Sequence, residues 1–123
     1  MKQLCVEYGY TSLNHYGEEL CGDNVVMTSD GEWTTLVLAD GTTNTVRGMA
    51  DYYSGIFVPH NDTGDGDEYT LTIQGTGTLN AFGGQNAAGI GANSRYDSGN
   101  IVIAGGIINA TGGESAAGIG SGY

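Results

Sequence analysis

Basic residues are nearly missing from this chain: only Lys2, Arg47 and Arg95 stand against 14 acids in 123 residues, for a formal net charge of −11. Proteins that grip nucleic acid neutralise phosphates with clustered Lys and Arg, so direct DNA or RNA binding is excluded. Binding to an anionic membrane surface is disfavoured for the same reason. No apolar run approaches the ~18 residues of a membrane-spanning helix. Cysteine occurs twice, at Cys5 and Cys21, too few for a disulfide framework. Residues 1–7 hold no apolar signal core, so a cytoplasmic chain with reduced thiols is the default expectation.

Proline occurs once, whereas glycine takes 23 positions. Without proline and a three-residue period this is not collagen. At about 1 kcal/mol per helical position, so much glycine also argues against a helical bundle. The charge is unevenly placed: twelve of the 14 acids lie in residues 1–69, while residues 70–123 carry only Arg95, Asp97 and Glu114. The acidic half has two readings. It is a solubilising surface that keeps β edges apart, or a face for a basic partner.

A repeat organises the rest of the chain. Residues 79–91 and 108–120 align at a constant offset of 29, with nine of 13 positions identical, and both contain Gly-Gly-x-x-Ala-Ala-Gly-Ile-Gly. The strand words Leu71-Thr72-Ile73 and Ile101-Val102-Ile103 precede them at an offset of 30. A degenerate copy lies upstream. Leu36-Val37-Leu38-Ala39-Asp40-Gly41 is its strand word, Asn44 stands for Asn80 and Asn109, and Ser54-Gly55-Ile56 stands for Ala88-Gly89-Ile90. Short alternating strands punctuated by Gly are β signals. A unit of about 30 residues can bury its apolar side only against a neighbour like itself. The expected fold is all-β: a short β-solenoid (parallel β-helix) of about three coils over residues 33–123, with residues 1–32 as an N-terminal β cap. Equivalent residues should then stack. Ile56 aligns with Ile90 and Ile119, Leu36 with Leu71 and Ile101, and Leu38 with Ile73 and Ile103. Asn44 with Asn80 and Asn109 makes an amide ladder.

Together with Thr-Leu-Thr-Ile-x-Gly-x-Gly-Thr-Leu-Asn-Ala from Thr70 to Ala81 and Gly-Asn-Ile-x-Ile-x-Gly-Gly from Gly99 to Gly106, these words resemble a known repeat. They are similar to the Gly-rich β-solenoid repeats of large clostridial and other gut-bacterial surface proteins, which are labelled carbohydrate-binding or adhesin-like. The resemblance implies a right-handed coil, a cell-surface setting and a non-catalytic role.

Residues 1–32 do not repeat. Residues 4–10 alternate as a strand would, and Val25-Val26-Met27-Thr28 followed by residues 33–38 reads as a hairpin about Ser29-Asp30-Gly31. Residues 10–25, with Gly22-Asp23-Asn24, and residues 34–41, ending in Asp40-Gly41, resemble the opening of sporulation-type metal-dependent serine/threonine phosphatases. That resemblance implies Asp23 and Asp40 as the first two manganese or magnesium carboxylates. The family's further Asp ligands have no counterpart, because Thr42-Thr43-Asn44-Thr45-Val46 follows and the solenoid takes over. Two-metal hydrolysis needs several carboxylates around both ions, so no phosphatase activity is expected.

Other chemistry is thin. There is no Gly-x-Ser-x-Gly elbow. Gly83-Gly84 and Gly112-Gly113 lack the Lys and the helix of a phosphate loop. Asp62, Asp65, Asp67 and Glu68 share one Gly-rich loop without calcium-loop spacing, and read as a solvated acidic loop with calcium as the alternative. Trp33, Tyr52, Tyr53 and Tyr69, with Phe57, make either an aromatic platform for sugar or a cap over the end of the core. The candidate binding surface is therefore Trp33, Tyr52, Tyr53, Asp62, Asp65, Asp67, Glu68 and Tyr69, with no catalytic residue, metal or cofactor. The first functional reading is a non-catalytic binding or structural module whose partner is a protein or a glycan. The alternative is an acidic inhibitor that mimics nucleic acid and blocks a basic protein; the third reading is a vestigial phosphatase-like metal binder. The last coil stops on Gly118-Ile119-Gly120 without a visible cap, so a homodimer through the C-terminal coil is expected.

Overall fold

The computed structural model describes residues 2–3, 11–12, 25–29, 33–48, 51–60 and 68–123. Its strands are, in chain order, β1 (Lys2–Gln3), β2 (Thr11–Ser12), β3 (Val25–Ser29), β4 (Trp33–Leu38), β5 (Thr43–Arg47) and β6 (Ile56–Phe57). They continue with β7 (Thr70–Gly75), β8 (Thr78–Phe82), β9 (Ile90–Gly91), β10 (Asn100–Ile103), β11 (Ile107–Thr111) and β12 (Ile119–Gly120). No helix occurs among the described residues.

Each coil contributes one strand to each of three sheets. β4, β7 and β10 stack in parallel on the first, β5, β8 and β11 on the second, and β6, β9 and β12 on the third. The chain is thus a short parallel β-solenoid of about three coils. The same corner recurs in every coil: Gly41, Gly75 and Gly106, with φ of 73°, 100° and 88°, turn the chain from the first sheet to the second. That left-handed conformation is open to glycine without a Cβ clash. At the N-terminal side, β3 pairs antiparallel with β4 from Ser29↔Thr34 to Val25↔Leu38, which is the expected hairpin. β1 continues that sheet antiparallel to β3, and β2 lies parallel on β6. Residues 4–10, both cysteines and Asp23 lie outside the described residues.

Alternation decides which side chains go inward. In β8 Leu79 and Ala81 are fully buried while Thr78, Asn80 and Phe82 face out, the period-2 rule for a half-buried strand. The core is one cluster built from Leu36, Leu38, Val46, Ile56, Val58, Leu71, Ile73, Leu79, Ala81 and Ile90, with Ile101, Ile108 and Ala110 partly buried against it. The stack of Ile56, Ile90 and Ile119 is in register as expected.

Two of the expected ladders are corrected. Leu36 pairs with Ile73 and then Ile103, while Leu71 and Ile101 stand over Thr34. Leu38 meets Gly75 instead of Ile73. The first strand is thus shifted by two residues from the aligned strand words. A two-residue shift leaves every side chain on the same face, so alternation cannot discriminate between the registers. The amide ladder holds for Asn80 and Asn109, whose side chains bond at 2.9 Å on the outer surface. Asn44 is not part of it. Thr45 pairs with Asn80, and Asn44 pairs with Leu79 and points into the core. There its amide donates to Thr42 Oγ1 at 3.1 Å and to the Thr78 carbonyl at 3.2 Å. Inward burial of Val46 two residues on fixes this one-residue difference, because a single slip exchanges the two faces.

Candidate functional site

A cleft of about 670 Å³ lies where residues 93–97, after β9, meet first-coil residues on both sides of β6: Tyr52, Tyr53, Phe57, Pro59 and His60 line it with residues 93–97. Tyr52 and Tyr53 belong to the lower coil, where the chain crosses from the second sheet to the third. The carbonyls of Asp51, Tyr52 and Tyr53 accept hydrogen bonds from Asn86, Ser94 and Gly84 of the coil above, at 2.8, 2.9 and 2.9 Å. This wall is therefore held by stacking.

Residues 93–97 of the second coil complete the lining. Asn93 is buried, and its Oδ1 accepts from both the amide and the hydroxyl of buried Ser54, each at 2.9 Å. This staple ties the segment before β6 in the first coil to the segment after β9 in the second. Beyond it the chain turns sharply. The Tyr96 amide donates to the Asn93 carbonyl at 3.2 Å, and the Arg95 amide donates to the Tyr123 carbonyl at 2.6 Å. Arg95 takes φ of 69°, and no other non-glycine among the described residues has a positive φ. A left-handed arginine is strained by roughly 1 kcal/mol or more, and here the turn carries its side chain to the cleft. Tyr96 packs edge-on against Phe57, with ring centroids 6.2 Å apart and planes at 65°.

Of the residues singled out from sequence, Tyr52 and Tyr53 line this cleft together. At 58% and 41% exposure they stand on the surface and do not cap the core. Glu68 pairs with His60, which lines the cleft, and its Oε1 accepts from the Tyr69 amide. Tyr69 itself leads into β7 and is not part of the lining. Trp33 belongs to β4, opposite Thr70 on the first sheet. Asp62, Asp65 and Asp67 lie outside the described residues. Sequence reasoning missed Asn93, Arg95, Tyr96 and Asp97. The signal was an interruption: residues 92–99 carry arginine, tyrosine and aspartate immediately after the repeated Gly-rich block.

Elsewhere the polar groups serve the stack. The Arg47 guanidinium lies 4.0 Å from the centre of the Phe82 ring, its neighbour one coil up. Gln85 donates to Glu114 at 3.1 Å. Asp40, the carboxylate singled out by the phosphatase resemblance, accepts from Thr76 Oγ1 at 2.9 Å in an exposed turn. Among the described residues no three of His, Cys, Asp and Glu gather as a metal site.

Comparison with known families agrees with this geometry. A family model described as a beta helix repeat matches residues 71–94 and 101–123, which are the second and third coils. Neither the comparison with curated proteins nor that with solved structures found a match. Fold and repeat together define a structural or binding solenoid module.

Proposed function

We propose that this chain is a non-catalytic binding module whose cleft takes a neutral glycan. The observation that carries the reading is the convergence of Tyr52, Tyr53 and Tyr96 with Arg95 and Asp97 around one cleft of sugar-binding size. Tyrosine faces suit the apolar C–H side of a pyranose ring, and each phenol supplies a polar tip. A planar guanidinium and a carboxylate match pairs of neighbouring hydroxyl groups. The net charge of −11 repels acidic sugars and leaves neutral ones unaffected. The resemblance of the repeats to surface proteins labelled carbohydrate-binding supports the same reading.

The test is calorimetric titration of the folded chain with a panel of neutral and acidic oligosaccharides. Neutral members should bind, and Tyr52→Ala or Tyr96→Ala should weaken binding roughly tenfold, the order of one aromatic contact. A second reading, an acidic inhibitor of a basic protein, draws on the concentration of acids in residues 1–69. Absence of binding to every glycan, with salt-sensitive capture of a basic protein instead, would overturn the first reading in favour of the second.

A further inference from the structure

Among the described residues, positive φ angles fall on glycine at Gly41, Gly75, Gly91, Gly106 and Gly120, and on one other residue, Arg95. Glycine would hold the Arg95 conformation, φ of 69°, without the steric penalty of a Cβ. This chain uses glycine freely, at 23 positions. An arginine at this point lowers stability, so its contribution lies in the side chain. Strained backbone of this kind gathers at ligand clamps.

The side chain adds nothing visible to the fold. Arg95 is exposed and lines the cleft. It is the only Lys or Arg in residues 48–123. Its guanidinium makes no ion pair and no hydrogen bond among the described residues, although Asp97 stands two residues on in the same lining. Arg47, in contrast, is stacked 4.0 Å from the centre of the Phe82 ring.

The chemistry of Arg95 and Asp97 limits what they can hold. A guanidinium presents N–H donors in a rigid fork and accepts nothing, whereas a carboxylate only accepts. A ligand that meets both offers acceptors and donors on neighbouring atoms. A lone cation would favour an anion, but Asp97 carries the opposite charge beside it. Two adjacent hydroxyl groups satisfy the pair. Each accepts an N–H from Arg95 through a lone pair and keeps its own O–H to donate to Asp97.

We infer that Arg95 is the specificity-determining residue of the cleft and that it reads a vicinal diol of the sugar, with Asp97 accepting the hydroxyl protons. This rests on the glycan reading above and narrows it to sugars with two adjacent free hydroxyls. Tyr52, Tyr53 and Tyr96 take the C–H side of the ring, and Arg95 selects its oxygens.

The test is calorimetric titration of the 123-residue chain with maltose, cellobiose, lactose and mannobiose, and with singly deoxygenated forms of the tightest binder. Removing either hydroxyl of the recognised diol should weaken binding to the parent about tenfold. Arg95→Gly should bind the intact sugar about tenfold more weakly, and the loss on deoxygenation should shrink in that variant, because the two changes remove the same contact. Arg95→Lys keeps the charge and the strain without the fork, and should also bind weakly. Urea unfolding of the same proteins separates this role from a structural one. Arg95→Gly relieves the strained turn, so its midpoint should equal or exceed that of the parent. Parent-like affinity in Arg95→Gly or Arg95→Lys, an undiminished deoxygenation loss in Arg95→Gly, or a lowered Arg95→Gly midpoint would each overturn the inference and leave the glycan reading standing. Binding of none of the four sugars by the parent at millimolar concentration would overturn the glycan reading, and this inference with it.

Discussion

Replacing Ile90 with alanine removes three carbons from the middle rung of a stack. Ile90 is fully buried, with Ile56 in register below and Ile119 above. At ~0.8 kcal/mol per methylene, the lost transfer energy is about 2.4 kcal/mol. Backbone ladders hold the rungs above and below, so little collapse is expected, and a void of roughly 80 Å³ at ~24 cal/mol per Å³ adds about 2 kcal/mol. The expected loss is about 4 kcal/mol, within the usual ~2–5 for Ile→Ala. Ile119→Ala deletes the same atoms from a side chain that is 43% exposed. There a little over half the transfer term is lost and no closed cavity forms, so the expected cost is about 1.5 kcal/mol. Ile56→Ala, starting from 1% exposure, should match Ile90→Ala. Urea titrations followed by circular dichroism read these losses as shifts in midpoint at constant slope. Equal losses at Ile90 and Ile119, or near-zero losses at both, would refute the stacked ladder.

Two further substitutions probe the corners. Gly91 has φ of 138°, and an added Cβ would run into the Gly120 carbonyl above it, so Gly91→Ala should cost about 3 kcal/mol or detach the third coil. Limited proteolysis should then cut within residues 92–123. Asn93→Ala should cost about 2–3 kcal/mol by leaving the Ser54 amide and hydroxyl without their acceptor. It should also lower glycan affinity although Asn93 is buried, and both effects are readable from one set of thermal-shift and calorimetric measurements.

How far the sequence revealed this structure follows from how well each coil repeats. Coils two and three share nine of 13 positions over residues 79–91 and 108–120, so a constant offset aligns Ile90 with Ile119 and Asn80 with Asn109 without any structural information. The first coil is degenerate, and there alignment rested on word shape. Leu36-Val37-Leu38 matches Leu71-Thr72-Ile73 by shape, yet the true register places Leu36 with Ile73. Asn44 matches Asn80 and Asn109 by residue identity alone, although inward burial of Val46 marks it as a core-facing position. At the cleft, the adjacent pair Tyr52 and Tyr53 was visible as an aromatic signal. The rest of the lining was not, because Arg95 and Tyr96 come from the next coil, and only the stacking of coils brings them near. The Asn93–Ser54 staple joins residues 39 apart, with no local mark in either segment.

The proposed glycan site in the cleft lined by Tyr52, Tyr53 and residues 93–97 is open to direct measurement. The most direct measurement is an amide chemical-shift titration of the unmodified chain with the tightest-binding neutral oligosaccharide. Saturable shifts confined to Tyr52, Tyr53, Phe57 and residues 93–97 are expected, with the outer faces of β5, β8 and β11 unmoved. Saturable shifts on those outer faces with the cleft unmoved, or no shift at millimolar ligand, would contradict it.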